Sequence, residues 1–119
     1  MTTVLIIDAC QEHRVLIGRM VNRMNLNALI AKNSQDVVDY IGQVDLVILD
    51  LNLSGQWMLD SFGIIAMIRQ HDQLTRLPIL ALATNILPDS KYHNGWDKLM
   101  MKPFDISELK NNILDLLAD

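Results

Sequence analysis

Short, unbroken apolar runs recur along the chain, and their ends carry the polar residues of most interest. Val4-Leu5-Ile6-Ile7 stops at Asp8, and Leu46-Val47-Ile48-Leu49 stops at Asp50. A third run, 79–83, opens after Pro78, and Leu99-Met100-Met101 stops at Lys102-Pro103. Continuous runs suit strands buried on both faces, because alternation is needed only where one face meets water. Residues 28–32 read as a further short strand. Between the runs the period becomes helical. Val15, Leu16, Ile17, Met20, Val21 and Met24 predict a helix over 11–24, with Arg19 and Arg23 near its C-terminal end, where the dipole favours cations. Val37, Val38 and Ile41 predict another, capped by Ser34 and closed near Gly42. Ile64, Ile65 and Ile68 predict a third, opened by Asp60 or Ser61 and running to about His71. Pro88 and Asp89 can start a fourth, which Gly95 limits to about two turns. Ile106, Leu109, Ile113 and Leu117 predict a terminal amphipathic helix. Strands alternating with helices imply a parallel sheet covered on both faces, because parallel strands need right-handed crossovers.

Size and composition narrow the class without changing this picture. A chain of 119 residues that is 50% hydrophobic and 20% charged fits one soluble domain, 1–119, with a single sizeable core. A net charge of -4 gives no general attraction to nucleic acid or anionic membrane. No stretch approaches the roughly 20 apolar residues of a membrane span, and no leader-like segment opens the chain. Cys10 is the only cysteine, in keeping with a reducing cytoplasm. No repeat, linker or low-complexity segment is evident.

The chemistry concentrates at strand ends. In open α/β sheets ligands collect at the carboxyl edge, and Asp8, Asp50 and Lys102 all fall there. Two acids and the Asn52 backbone carbonyl form an oxygen set of the kind Mg²⁺ takes. A lysine beside them can pair with a phosphoryl oxygen as a point charge. Pro103 is a candidate cis proline.

In the order and spacing of 4–8, 46–52, 77–83 and Met101-Lys102-Pro103-Phe104, nearly the whole chain resembles the receiver domains of two-component response regulators. The resemblance implies a doubly wound, five-stranded parallel sheet of order 2-1-3-4-5 in a flavodoxin-like three-layer sandwich, with five surrounding helices. It implies that Asp50 is the phosphoacceptor, that Lys102 contacts the phosphoryl group, and that Mg²⁺ is held by Asp8, Asp50 and the Asn52 carbonyl. No organic cofactor is implied. The implied partners are a histidine kinase or phosphotransfer protein and a downstream target or tethered effector, with a homodimer left open. Such a domain is a signalling module that at most promotes its own phosphorylation and dephosphorylation.

Several positions depart from that pattern. The second acid of the usual pair, normally the direct metal ligand, falls on Ala9, which weakens the metal site. The usual threonine or serine at the end of the fourth strand falls on Ala83, with Thr84 one position later. A one-residue shift turns a side chain to the other face of a strand. The aromatic switch position falls on Leu99. The loop after Asp50 is lengthened among Ser54-Gly55-Gln56-Trp57, and the segment from Thr84 to Lys102 is shortened.

Each residue also has a plainer reading. Asp50 could serve only as a strand-end cap or cation ligand, and Lys102 only as its salt-bridge partner. Asp8 reads more naturally as a partner of Lys102 than as a sufficient metal site. Cys10 lacks the basic neighbour or second cysteine that reactivity needs, and His13, His71 and His93 read as solvated side chains. Trp57 is a candidate partner anchor, a lid over Asp50 or simple packing. The apolar flanks of the helix containing Ile64 and Met67 are either a partner surface or covered by a neighbouring loop. Two functions follow: a receiver phosphorylated at Asp50 with atypical switching, or a phosphorylation-independent pseudo-receiver that docks proteins through Trp57 and the altered region around Leu99. A flavin or nucleotide binder would need a glycine-rich phosphate loop after the first strand, and there is none.

Overall fold

The computed structural model describes residues 1–53, 60–71, 76–84 and 95–118. Five strands, β1 (Thr3–Ile7), β2 (Asn27–Ala31), β3 (Leu46–Asp50), β4 (Ile79–Ala83) and β5 (Lys98–Met101), form one parallel sheet. Their order is β2-β1-β3-β4-β5. Among the described residues the helices are α1 (Gln11–Arg23), α2 (Ser34–Tyr40), α3 (Ser61–His71) and α4 (Ile106–Leu117), with a short 3-10 turn at Ile41–Gln43. The helix expected after Pro88 and the loop around Trp57 lie outside the described residues.

The continuous apolar runs are explained by the two cores they feed. In β1, Leu5 and Ile7 face one way, joining Val47, Leu49, Ile79 and Ala81 beneath Val37, Ile64, Ile65 and Ile68 of α2 and α3. Val4 and Ile6 face the other way, joining Leu46, Ile48, Leu80 and Leu82 beneath Ile17, Val21, Leu109 and Ile113 of α1 and α4. Every residue of β1, β3 and β4 is buried, so neither face could carry alternating polar residues. Burial of this kind is worth roughly 25 cal/mol per Å² of apolar surface. The inner flanks of α3 are covered as well, with Ile64 and Ile68 fully buried, and Phe62 lies with its ring tilted against Trp96.

Helix starts follow local chemistry. Asn33, not Ser34, caps α2, its side chain accepting the Asp36 N–H at 2.9 Å. At α3, Asp60 takes the capping role, accepting the Gly63 N–H at 2.7 Å, and so releases Ser61 for a different bond described below. Asp105 caps α4 by accepting from Ser107.

At the amino edge of the sheet one device appears twice. Asp45, immediately before β3, donates its N–H to the Thr3 carbonyl at 2.8 Å, while its carboxylate accepts the Thr3 N–H at 2.8 Å. Asp97, immediately before β5, does the same to Ile79, with both bonds again at 2.8 Å. Each acid thus clamps the first residue of the neighbouring strand. Asp97 also receives Arg76 at 2.8 Å and Arg69 at 3.2 Å. Arg69 donates further to the carbonyls of Leu77 and Gly95. Gly95 has φ 101, and a Cβ there would run into the Ile65 side chain, so this approach needs a glycine.

Candidate functional site

Asp8, Asp50 and Lys102 meet at the carboxyl edge, as their strand-end positions predicted. Asp8 is 1% exposed and Asp50 4% exposed. The two carboxylates are fixed in the same manner. Asp8 Oδ1 accepts the Cys10 N–H at 2.9 Å, and Asp50 Oδ1 accepts the Asn52 N–H at 2.9 Å. These are Asx turns, in which an acid bonds the main chain two residues on. Each spends one oxygen on its own loop and turns the other toward Lys102, whose Nζ lies 2.8 Å from Asp8 Oδ2 and 3.6 Å from Asp50 Oδ2.

The backbone around the acids is held from several sides. Arg14 donates to the carbonyls of Asp8, at 2.9 Å, and Ala9, at 3.3 Å, fastening the loop after β1. The buried Ser61 hydroxyl donates to the Asp50 carbonyl at 2.7 Å. Asn52 Oδ1 accepts the Thr84 N–H at 3.2 Å, tying the β3 loop to the end of β4. The Lys102 N–H donates to the Ala83 carbonyl at 2.7 Å, and the Lys102–Pro103 bond is cis.

His13 is the residue that the sequence reading missed. Read there as a solvated side chain, it places Nδ1 2.8 Å from Lys102 Nζ and 3.7 Å from Asp8 Oδ2, with its ring edge-on to Phe104. An ammonium has only donors, so Nδ1 is the acceptor in this contact. Its partner lies 89 residues away in sequence, so no local spacing announces the contact. The usable signal was its place on the first turn of a helix that begins just after Asp8.

Electrostatics mark out Asp50. Burial pushes the Asp50 carboxyl above its ordinary value, with the neighbouring Asp8 charge adding to the rise. The Asn52 N–H and Lys102 pull it the other way without cancelling the effect.

The remaining candidates divide. Ala83 is buried, whereas Thr84 is exposed and reaches the site through its main-chain N–H to Asn52. Leu99 is 40% exposed on the edge strand β5, and Trp57 and His93 lie outside the described residues. Cys10 is half-buried at the start of α1, and His71 is exposed at the end of α3. For Mg²⁺ the fit is poor. The outward oxygens of Asp8 and Asp50 already face an ammonium, and position 9 offers only an exposed methyl group. Among the described residues no three His, Cys, Asp or Glu side chains are grouped to hold a metal ion.

Comparison with known proteins places this geometry in a recognisable architecture. No family model and no curated relative matches the chain. Solved structures match over nearly its whole length. The chemotaxis protein CheY4 of Vibrio cholerae superposes with a TM-score of 0.86 at 21% identity, covering 98% of this chain and 99% of that one. The receiver domain of a sensor histidine kinase from Pseudomonas aeruginosa, solved with a magnesium ion coordinated in its active site cleft, gives 0.84 at 20% identity, covering 99% and 98%. A two-component response regulator from Clostridium difficile gives 0.82 at 22% identity, covering 99% and 97%. The fold is that of receiver domains.

Proposed function

We propose that this receiver-fold chain is a two-component signalling domain that accepts a phosphoryl group at Asp50 from the phosphohistidine of a kinase or phosphotransfer protein. The observation that carries the reading is the state of the Asp50 carboxylate. It sits at the end of β3 with Oδ1 pinned by Asn52 and Oδ2 turned toward the Lys102 ammonium, 3.6 Å away. Attack by Oδ2 on phosphorus forms an acyl phosphate, and the electron pair of the broken phosphorus–nitrogen bond returns to the donor imidazole. Phosphoryl transfer of this kind depends mainly on positioning and on neutralising charge at the phosphoryl oxygens, and among the described residues Lys102 is the nearest group able to do so. The domain acts as a signalling module and turns over no external substrate beyond its own phosphorylation and dephosphorylation.

Its response is atypical. Ala83 brings no hydroxyl to the end of β4, Thr84 contributes its main-chain N–H, and Leu99 stands exposed on β5 where it can meet a downstream protein. No helix among the described residues is long and apolar enough to cross a membrane. Intact mass after incubation with acetyl phosphate and Mg²⁺ tests the reading. One phosphate should add to the parent chain and none to Asp50→Asn.

A second reading has its own observation. Lys102 is already engaged by Asp8 and His13, so the cluster could serve only to hold a docking scaffold together. A folded parent chain that gains no mass would favour this pseudo-receiver.

A further inference from the structure

Asp8, Asp50, Lys102 and His13 form a site whose cation is already built in. An ion held directly by both carboxylates touches an oxygen of each, at about 2.0–2.1 Å for Mg²⁺. The outward oxygens of Asp8 and Asp50 instead converge on Lys102 Nζ, at 2.8 and 3.6 Å. Their other oxygens are committed to the main chain at Cys10 and Asn52. A divalent ion entering between them would meet the ammonium at close range, and Ala9 supplies no further oxygen to offset that repulsion.

The ammonium is also aimed. It has three N–H donors. One goes to Asp8 Oδ2 and one to His13 Nδ1, each at 2.8 Å. The Lys102 side chain is 9% exposed, so the third has little water to turn to. It is left toward Asp50, where 3.6 Å is too long for a good hydrogen bond. A phosphoryl group on Asp50 Oδ2 would bring oxygens to that unfilled donor. His13 therefore does what a buried lysine stem cannot do for itself, fixing the direction of the free donor.

We propose that the Lys102 ammonium, aimed by His13, is the resident cation of this site, and that Asp50 takes a phosphoryl group without a divalent metal. The proposal rests on Asp50 being the acceptor. With an acyl phosphate as donor, the Asp50 oxygen–phosphorus bond forms as the phosphorus–oxygen bond to the acyl group breaks. The electron pair leaves with the donor's carboxylate, and no proton changes hands. The ammonium at contact range offsets one of the two carboxylate charges. His13 is a positioning residue, since it reaches the phosphoryl group only through Lys102.

The experiment is the rate of mass gain with acetyl phosphate, measured in Mg²⁺ and again in EDTA, on the parent chain, His13→Leu and His13→Asn. The expected result is a parent rate that agrees within about two-fold between the two conditions. His13→Leu should slow the EDTA reaction about ten-fold, because the free donor is no longer aimed. His13→Asn, which restores an acceptor for Lys102, should recover most of that loss, a rescue that mere support of the fold would not give. Circular dichroism confirms that the variants are folded. Mass gain in Mg²⁺ but not in EDTA overturns the proposal and leaves phosphorylation of Asp50 standing. A His13→Leu rate equal to the parent's overturns the role of His13. No mass gain in either condition overturns both the acceptor reading and this one.

Discussion

The two edges of the sheet hold similar side chains and use them in opposite ways. At the amino edge, Asp45 and Asp97 each close a two-bond clamp on the next strand, and two guanidinium groups reinforce Asp97. At the carboxyl edge, Asp8 and Asp50 bond only their own loops and aim a second oxygen at one shared ammonium. Acids at the amino edge are exposed, and Asp97 gathers two guanidinium groups besides the Ile79 N–H. Those at the carboxyl edge are almost fully buried, and two negative charges share one positive charge. A carboxylate held at the surface serves structure, and one buried beside a like charge becomes a candidate for chemistry.

Substitutions can break or sharpen that contrast. The largest effect should come from Lys102→Met, which leaves two buried carboxylates without their cation at a cost of about 3 kcal/mol. A fall in the urea midpoint measures it, and phosphoryl uptake should be lost with it. Asp97→Ala should cost about 2 kcal/mol, because the Ile79 N–H and two guanidinium groups lose their acceptor. Uptake at Asp50 should be unchanged, which separates the edges by function. Asp45→Ala should cost about 1 kcal/mol for the single Thr3 clamp.

The smallest effect should have the opposite sign. The folded chain holds the Asp50 proton to higher pH than the unfolded chain does, because burial raises that carboxyl above 3.8. Ionised Asp50 therefore costs stability above its raised value, and the cost fades as pH falls through that value toward 3.8. Asp50→Asn should raise Tm at neutral pH by a few degrees at most. The gain should fade as pH falls toward 3.8. Thermal melts of both chains across that range check it.

Much of the carboxyl edge was legible in the sequence because its residues mark the ends of apolar runs. Asp8, Asp50 and Lys102 could be placed together from the alternation of strands and helices alone. His13 could not, because its contact depends on how α1 lies over the loop after β1. The cap of α2 was misplaced by one residue because Asn33 and Ser34 are both good caps, and only the geometry at Asp36 chooses between them. The amino-edge clamps went unread, although Asp45 stands directly before the strongest apolar run. An acid before a strand looks like an ordinary turn residue until the register of the neighbouring strand is known.

The two clamps also divide the sheet in time. One fastens β1 to β3 and the other β4 to β5, while Pro78, at the foot of the β3–β4 seam, offers the Val47 N–H a carbonyl and has no N–H to return. Among the described residues no carboxylate clamp crosses that seam. Under native conditions the amides of β4 and β5 should therefore exchange with solvent deuterium as one cooperative unit, earlier than those of β1 and β3. Asp97→Ala should quicken the first group and leave the second at its original pace.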